Sequence, residues 1–238
     1  MKKLVLLLLA AAATHAQISP RPADAVVPVV GSTRGQSNAN FKTELQLANP
    51  TELVMEGWLY LRPHELVLRY ALDPHTTRTY ADVVAEMGGS GLGSLDVLVE
   101  RGPVPVVVAR AFDDQPAGTT GATVPAIPAA SILTRTDAAA LIAPRDPSRY
   151  RFNIGIRALQ SGVTLHVTVR SSNGTQRHFR TLTYPANHFE QQPANAFAGI
   201  ALEPSDAIEI EMAAGSAIVY GSTVDNATND SSLQVLRK

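Results

Sequence analysis

Asn40-Phe41-Lys42-Thr43-Glu44-Leu45-Gln46-Leu47-Ala48-Asn49-Pro50 alternates between two kinds of side chain until the Asn-Pro pair stops it. Phe41, Thr43, Leu45 and Leu47 fall on one side and Lys42, Glu44 and Gln46 on the other, the period of two that marks a half-buried strand. The same design recurs in the second half of the chain. There Tyr150, Phe152, Ile154 and Ile156 form the apolar side, against Arg151, Asn153, Gly155 and Arg157. The two stretches lie about 110 residues apart, a domain length and far longer than a solenoid period. They head two copies of one β unit.

Working outward in the first copy, strands are expected over 26–30, 53–61, 66–72, 76–80, 95–101 and 104–113, with one or two helical turns over 81–87. The turn-rich segment 31–38 reads as an exposed loop. The second copy follows the same order, with strands over 152–158, 163–170, 176–184, 207–212 and 216–225. A less regular segment, 189–197, takes the place of the helical turns, and 132–141 is the expected opening strand. Asn173-Gly174 marks a hairpin. The closing strands match best, with Val108-Ala109-Arg110-Ala111-Phe112-Asp113 over Tyr220-Gly221-Ser222-Thr223-Val224-Asp225. The expected fold is therefore all-β: two tandem immunoglobulin-like or Greek-key β-sandwich domains, 26–125 and 131–238, related by internal duplication. A stretch rich in proline and alanine, 124–130, joins them.

The N-terminus carries Lys2 and Lys3, a short apolar run and then Ala16, the pattern of a secretory signal peptide over 1–16 with a linker over 17–25. The expected destination is the periplasm or the extracellular medium. No later segment approaches the roughly 20 apolar residues of a spanning helix, so no membrane span is expected. Cys 0 removes disulfides, thiolate nucleophiles and a lipoprotein anchor together. Lys+Arg 20 against Asp+Glu 21 gives a net charge of -1, with no basic patch for nucleic acid.

The pattern of Gly31-Ser32-Thr33, then Phe41, Thr43, Leu45, Leu47, Asn49 and Pro50, then Ser90-Gly91-Leu92-Gly93 and Ala109-Arg110 resembles secreted bacterial proteins of unassigned function with paired β-sandwich domains. The resemblance covers most of the chain after the signal. It implies architecture and export, and no catalytic residues.

Several clusters suggest chemistry. The glycines of 88–93 fail the dinucleotide spacing, and they follow a helical turn and precede a strand, the reverse of what phosphate binding needs. Ser90 lacks the glycine two positions on that a nucleophile elbow requires. His166 and His178, on the two arms of the Asn173-Gly174 hairpin, are placed nearly opposite each other by counting from the turn. In the loop 225–230, Asp225, Asn229 and Asp230 are candidate calcium ligands, though no glutamate follows to bind in bidentate fashion. Trp58 and Tyr60 are candidates for stacking on a glycan. No acid, base or nucleophile cluster emerges, so the chain reads as an exported, cofactor-free, non-catalytic protein with a structural or interaction role and an unknown protein or glycan partner. The alternative is a ligand-binding module, for glycan through Trp58 and Tyr60 or for calcium at 225–230.

Overall fold

The computed structural model describes residues 21–35 and 38–238. The expected signal peptide and the first residues of the expected linker, 17–20, lie outside the described residues. Among the described residues strand makes up 62% and helix 6%, in two antiparallel sheets, an all-β fold. Among the described residues no helix is long and apolar enough to cross a membrane.

The first sheet holds nine strands: β1 (Ala25–Arg34), β2 (Asn40–Ala48), β3 (Met55–Arg62), β4 (Leu66–Leu72), β5 (Thr77–Tyr80), β6 (Gly91–Arg101), β7 (Val106–Gln115), β8 (Gly118–Val124) and β9 (Ile127–Pro128). Its path is β4-β3-β6-β1-β2-β7-β8, with β5 on β2 and β9 on β1. β1 serves two arms: residues 25–32 pair with β6, then Thr33 and Arg34 pair with β2. Leu45 and Leu47 from one arm share a buried cluster with Leu59, Leu61, Leu95 and Val97 from the other. The sheet thus folds back on itself around one core, with the alternating residues of β2 turned inward as their period requires. A short helix, α1 (Val83–Glu86), is capped by the Asp82 carboxylate and buries Val83 and Val84.

The second sheet contains β10 (Leu133–Thr134), β11 (Ala138–Ile142), β12 (Tyr150–Arg170), β13 (Gln176–Tyr184), β14 (Phe189–Pro193), β15 (Ala207–Asp225) and β16 (Ser231–Val235), with α2 (Ala194–Ala198) between β14 and β15. Its pairings follow those of the first sheet. Leu45 faces Ala109 and Tyr80 as Ile154 faces Gly221 and Gln192. Phe41 faces Asp113 as Tyr150 faces Asp225. β3 lies between β4 and β6 as the second part of β12 lies between β13 and the start of β15. β6 takes β1 as the start of β15 takes β11, and β7 takes β8 as the end of β15 takes β16.

The halves differ where proline stands. Asn49-Pro50 ends β2, and Pro103 and Pro105 separate β6 from β7, because a ring nitrogen brings no N–H to a ladder. At the matching places the second half has Leu159-Gln160-Ser161-Gly162 and Ala213-Ala214-Gly215. The strands expected over 152–158 and 163–170 therefore run on as β12, and those over 207–212 and 216–225 as β15, with register shifts at the joins.

Three other expectations change. The segment 31–38 is not all loop, since β1 continues to Arg34; the Gly31 N–H donates to Thr43 Oγ1 at 2.8 Å, fastening the strand as it changes arms. β8 and β16 are strands that alternation does not announce, being rich in Thr, Ser and Gly and lying at sheet edges. From Arg21 onward the linker is held: Asp24 N donates to Val97 O at 2.9 Å, and the Asp24 carboxylate accepts from Val99 N at 2.7 Å.

Candidate functional site

The residues singled out in the sequence are mostly held in structural contacts. Gly88 and Gly91 take positive φ, +79° and +87°, at the turn from α1 into β6. Gly93 lies within β6, where a Cβ would come 2.4 Å from the Arg62 carbonyl oxygen. His166 and His178 are not opposite each other. A register shift between Val169 and Arg170 pairs His166 with Thr181 and His178 with Val169, which sends the two imidazoles to opposite faces.

At the loop 225–230, Asp225 Oδ1 accepts from Ala227 N and Thr228 N at 2.8 and 3.1 Å, and Oδ2 accepts from Arg149 Nε at 3.0 Å. Those contacts, the Ala227 N–H first and Arg149 next, hold the Asp225 carboxyl below the usual aspartate range. Asn229 Oδ1 accepts from Arg151 at 2.8 Å and its amide donates to Asp113 at 3.2 Å, while Asp230 Oδ1 accepts from Ser231 N at 3.0 Å. The three candidate ligands are thus turned to arginines and main-chain donors. Among the described residues no group of three His, Cys, Asp or Glu side chains is placed to hold a metal ion.

Trp58 is half-buried on the outer face of β3, with its indole N–H buried and unpartnered among the described residues. Tyr60 beside it is only 9% exposed. Arg69 lies 6.0 Å from the Trp58 ring centroid and Arg62 lies 5.3 Å from that of Tyr60. The pair does not offer two open ring faces.

The most developed feature is the junction of the two halves. The face of the second sheet that carries Gly155, Arg157, Ile218 and Tyr220 is set against the first half. Arg157, placed on the polar side by alternation, is 1% exposed. Its Nη2 donates to both oxygens of Asp96 at 3.0 and 2.8 Å, and Arg62 Nε reaches the same carboxylate at 3.3 Å. Burial pulls the Arg157 guanidinium pKa down, and the Asp96 charge opposes that shift. Around this pair, Ile218 joins Ala23, Val26, Ile127 and Ile132 in one buried cluster. Tyr220 enters the core of the first half, and its hydroxyl donates to Gln191 at 2.9 Å. Gly155 makes room for it, since a Cβ there would lie 2.0 Å from the Tyr220 ring.

Beside the junction lies a cleft of about 350 Å³. Val29, Leu92, Val224 and Leu233 give it apolar walls, and Arg34, Lys42 and Arg151 bring positive charge. Lys42 is paired with Asp114 at 2.7 Å, but among the described residues Arg34 and Arg151 are in no ion pair.

Alternation overlooked this junction because it assumes one wet face. The readable signal is Ala217-Ile218-Val219-Tyr220, an unbroken apolar run of the kind that strands buried on both faces carry. A similar run, Val104-Pro105-Val106-Val107-Val108, occurs in the first half, yet there Val104, Val106 and Val108 are 45%, 51% and 48% exposed. A scan against protein-family models and a search of curated proteins return no match to this chain.

Proposed function

We propose that the chain is an exported, non-catalytic protein of two tandem β-sandwich domains related by duplication, with a structural or interaction role in the periplasm or outside the cell. The matched pairings of the two sheets support the duplication, and the pattern of residues 1–16 supports export. One observation carries the interaction role. Val106 pairs with Ala48 as Ile218 pairs with Arg157, and Val108 pairs with Gln46 as Tyr220 pairs with Gly155. Ile218 and Tyr220 are fully buried against the first half, whereas Val106 and Val108 are open to solvent. A sheet face whose counterpart is covered, and which carries the bare Val106 and Val108 with the exposed Val104 just before the strand, has the character of an interface.

The test is a photoreactive side chain placed at Val108, with Ser172 in the hairpin turn as the control position, in cells that export the protein. A discrete adduct from position 108 and none from 172 is expected. Equal labelling at both would count against the reading. N-terminal sequencing of exported material should begin at Gln17, and a chain still carrying Met1 would remove the export claim.

A ligand-binding role is the second reading, favoured by the cleft at the junction. Its apolar walls and the two guanidinium groups outside ion pairs suit a small organic anion with an apolar body. Isothermal titration with decanoate and decanol tests it: heat with decanoate alone, lost in Arg34→Gln, is the expected result.

A further inference from the structure

Resting on the interaction role proposed above, we infer that the partner of the bare valine face is a second copy of this chain, joined head to tail, with Val106 and Val108 of one copy on β11 of the next. The junction inside the chain is the template. There Ile218, on the end of β15, is buried in one cluster with Val26, on β1. Each component has a second version on the other half of the chain. Val106 stands opposite Ala48 as Ile218 stands opposite Arg157. Ala140 stands opposite Glu209 as Val26 stands opposite Asp96. Ile218 and Val26 are 0% exposed, whereas Val106 is 51% exposed and Ala140 is exposed beside Ile142 at 47%. The chain thus makes one joint internally and leaves both of its components free, one on each half.

The charges transfer as well. In the internal joint Arg62 Nε contacts Asp96 at 3.3 Å, and on the free surface Arg170 Nε contacts Glu209 at 2.8 Å. The internal joint adds Arg157 from the other side, but the matching residue on the free face is Ala48, which is uncharged. Where the external joint covers Glu209, it therefore covers an acid already met by an arginine. Because the two free surfaces are different and lie on different halves, the contact is heterologous. Such contacts do not close as a twofold dimer does; repeated, they build a ring or an open series of copies.

Sedimentation velocity of the exported chain over a range of concentrations tests this directly. The weight-average mass should rise with concentration beyond that of a dimer. Val106→Asp with Val108→Asp disables one surface and Ala140→Arg the other, and each variant alone should sediment as a monomer. An equimolar mixture of the two should give a 1:1 pair and nothing larger, because one good copy of each surface remains. Unchanged thermal melting shows that the variants are folded, and Val108→Lys replaces the double change if it is not. A wild-type chain that stays monomeric at every concentration overturns the inference. So does a dimer of fixed size whose disabled variants fail to pair when mixed, which would be a symmetric contact. Either result leaves the broader interaction role to the photolabelling at Val108, where an adduct to a different protein would uphold that role without this one.

Discussion

Arg157 Nη2 lies 3.0 and 2.8 Å from the two oxygens of Asp96, although the residues belong to different sheets and stand 61 positions apart. Removing one member of a buried pair leaves the other charged and dry, at a cost of about 3–5 kcal/mol. Arg157→Ala should fall at the low end of that range, since Arg62 still touches Asp96. It should also uncouple the halves. Trp58, the only tryptophan, reports on the first half, while circular dichroism reports on both. Urea unfolding followed by the two signals should coincide for the wild type and separate for Arg157→Ala. Coincident curves in the variant would mean that the pair does not couple the halves.

Gly155→Ala should destabilise the protein by about 1–3 kcal/mol, the usual cost of overpacking. A Cβ at 155 meets the Tyr220 ring, which is held by the core around it and by its bond to Gln191. Position 46 is the counterpart in β2, where Gln46 faces the exposed Val108. Gln46→Ala should therefore shift stability by less than about 0.5 kcal/mol. Chemical denaturation of the two variants side by side checks the contrast.

Asn49 is 2% exposed and serves the turn that ends β2. Its amide donates to Leu53 O at 2.6 Å and to Asp73 O at 3.0 Å, and its oxygen accepts from Thr51 N at 3.0 Å. Asn49→Ala should cost about 2–3 kcal/mol through main-chain groups left unpaired. Asn49→Asp should not rescue it, because an ionised carboxylate has no N–H to donate. If Asn49→Asp melted with the wild type, the donor role assigned to Asn49 would be wrong.

Asp225 gives the chain an acid-sensitive contact. Its folded-state pKa lies below the ordinary 3.8, held there first by the Ala227 N–H and then by Arg149. A depressed carboxylate pKa adds stability that is fully present above 3.8 and lost as pH falls through the folded value. Asp225→Asn keeps an oxygen for the turn N–H groups and loses the charge facing Arg149. It should melt below the wild type near neutral pH, and the gap should close as the solution is acidified. A gap independent of pH would mean that the charge plays no part.

Much of this was legible in the chain itself. The alternation of Phe41 to Leu47, its recurrence at Tyr150 to Ile156 and the matching order of strands identify an all-β chain with repeated pairings, because a period of two is local and a buried face must keep its register. Prolines at 50 and 103 mark breaks of the first half for an equally local reason, the missing N–H, while Pro105 corrects the strand expected over 104–113, which begins only at Val106.

What the period cannot say is which outer face stays wet. Arg157 and Ile218 read as ordinary members of their strands, and they become a junction only because the second half is set against Val26 and Asp96. His166 and His178 seem opposed until a single register shift near the hairpin turns one of them over. Asp225, Asn229 and Asp230 look like a cluster of oxygen ligands until Arg149 and Arg151, more than 70 positions away, join the loop's own main-chain N–H groups in occupying them. Local sequence determined where most strands form and which way their side chains alternate, since both depend chiefly on neighbouring residues, whereas the edge strands β8 and β16 form through pairing with β7 and β15. Tertiary structure decided which of those side chains are shared, buried or left bare, since each of those properties depends on residues brought together from distant parts of the chain.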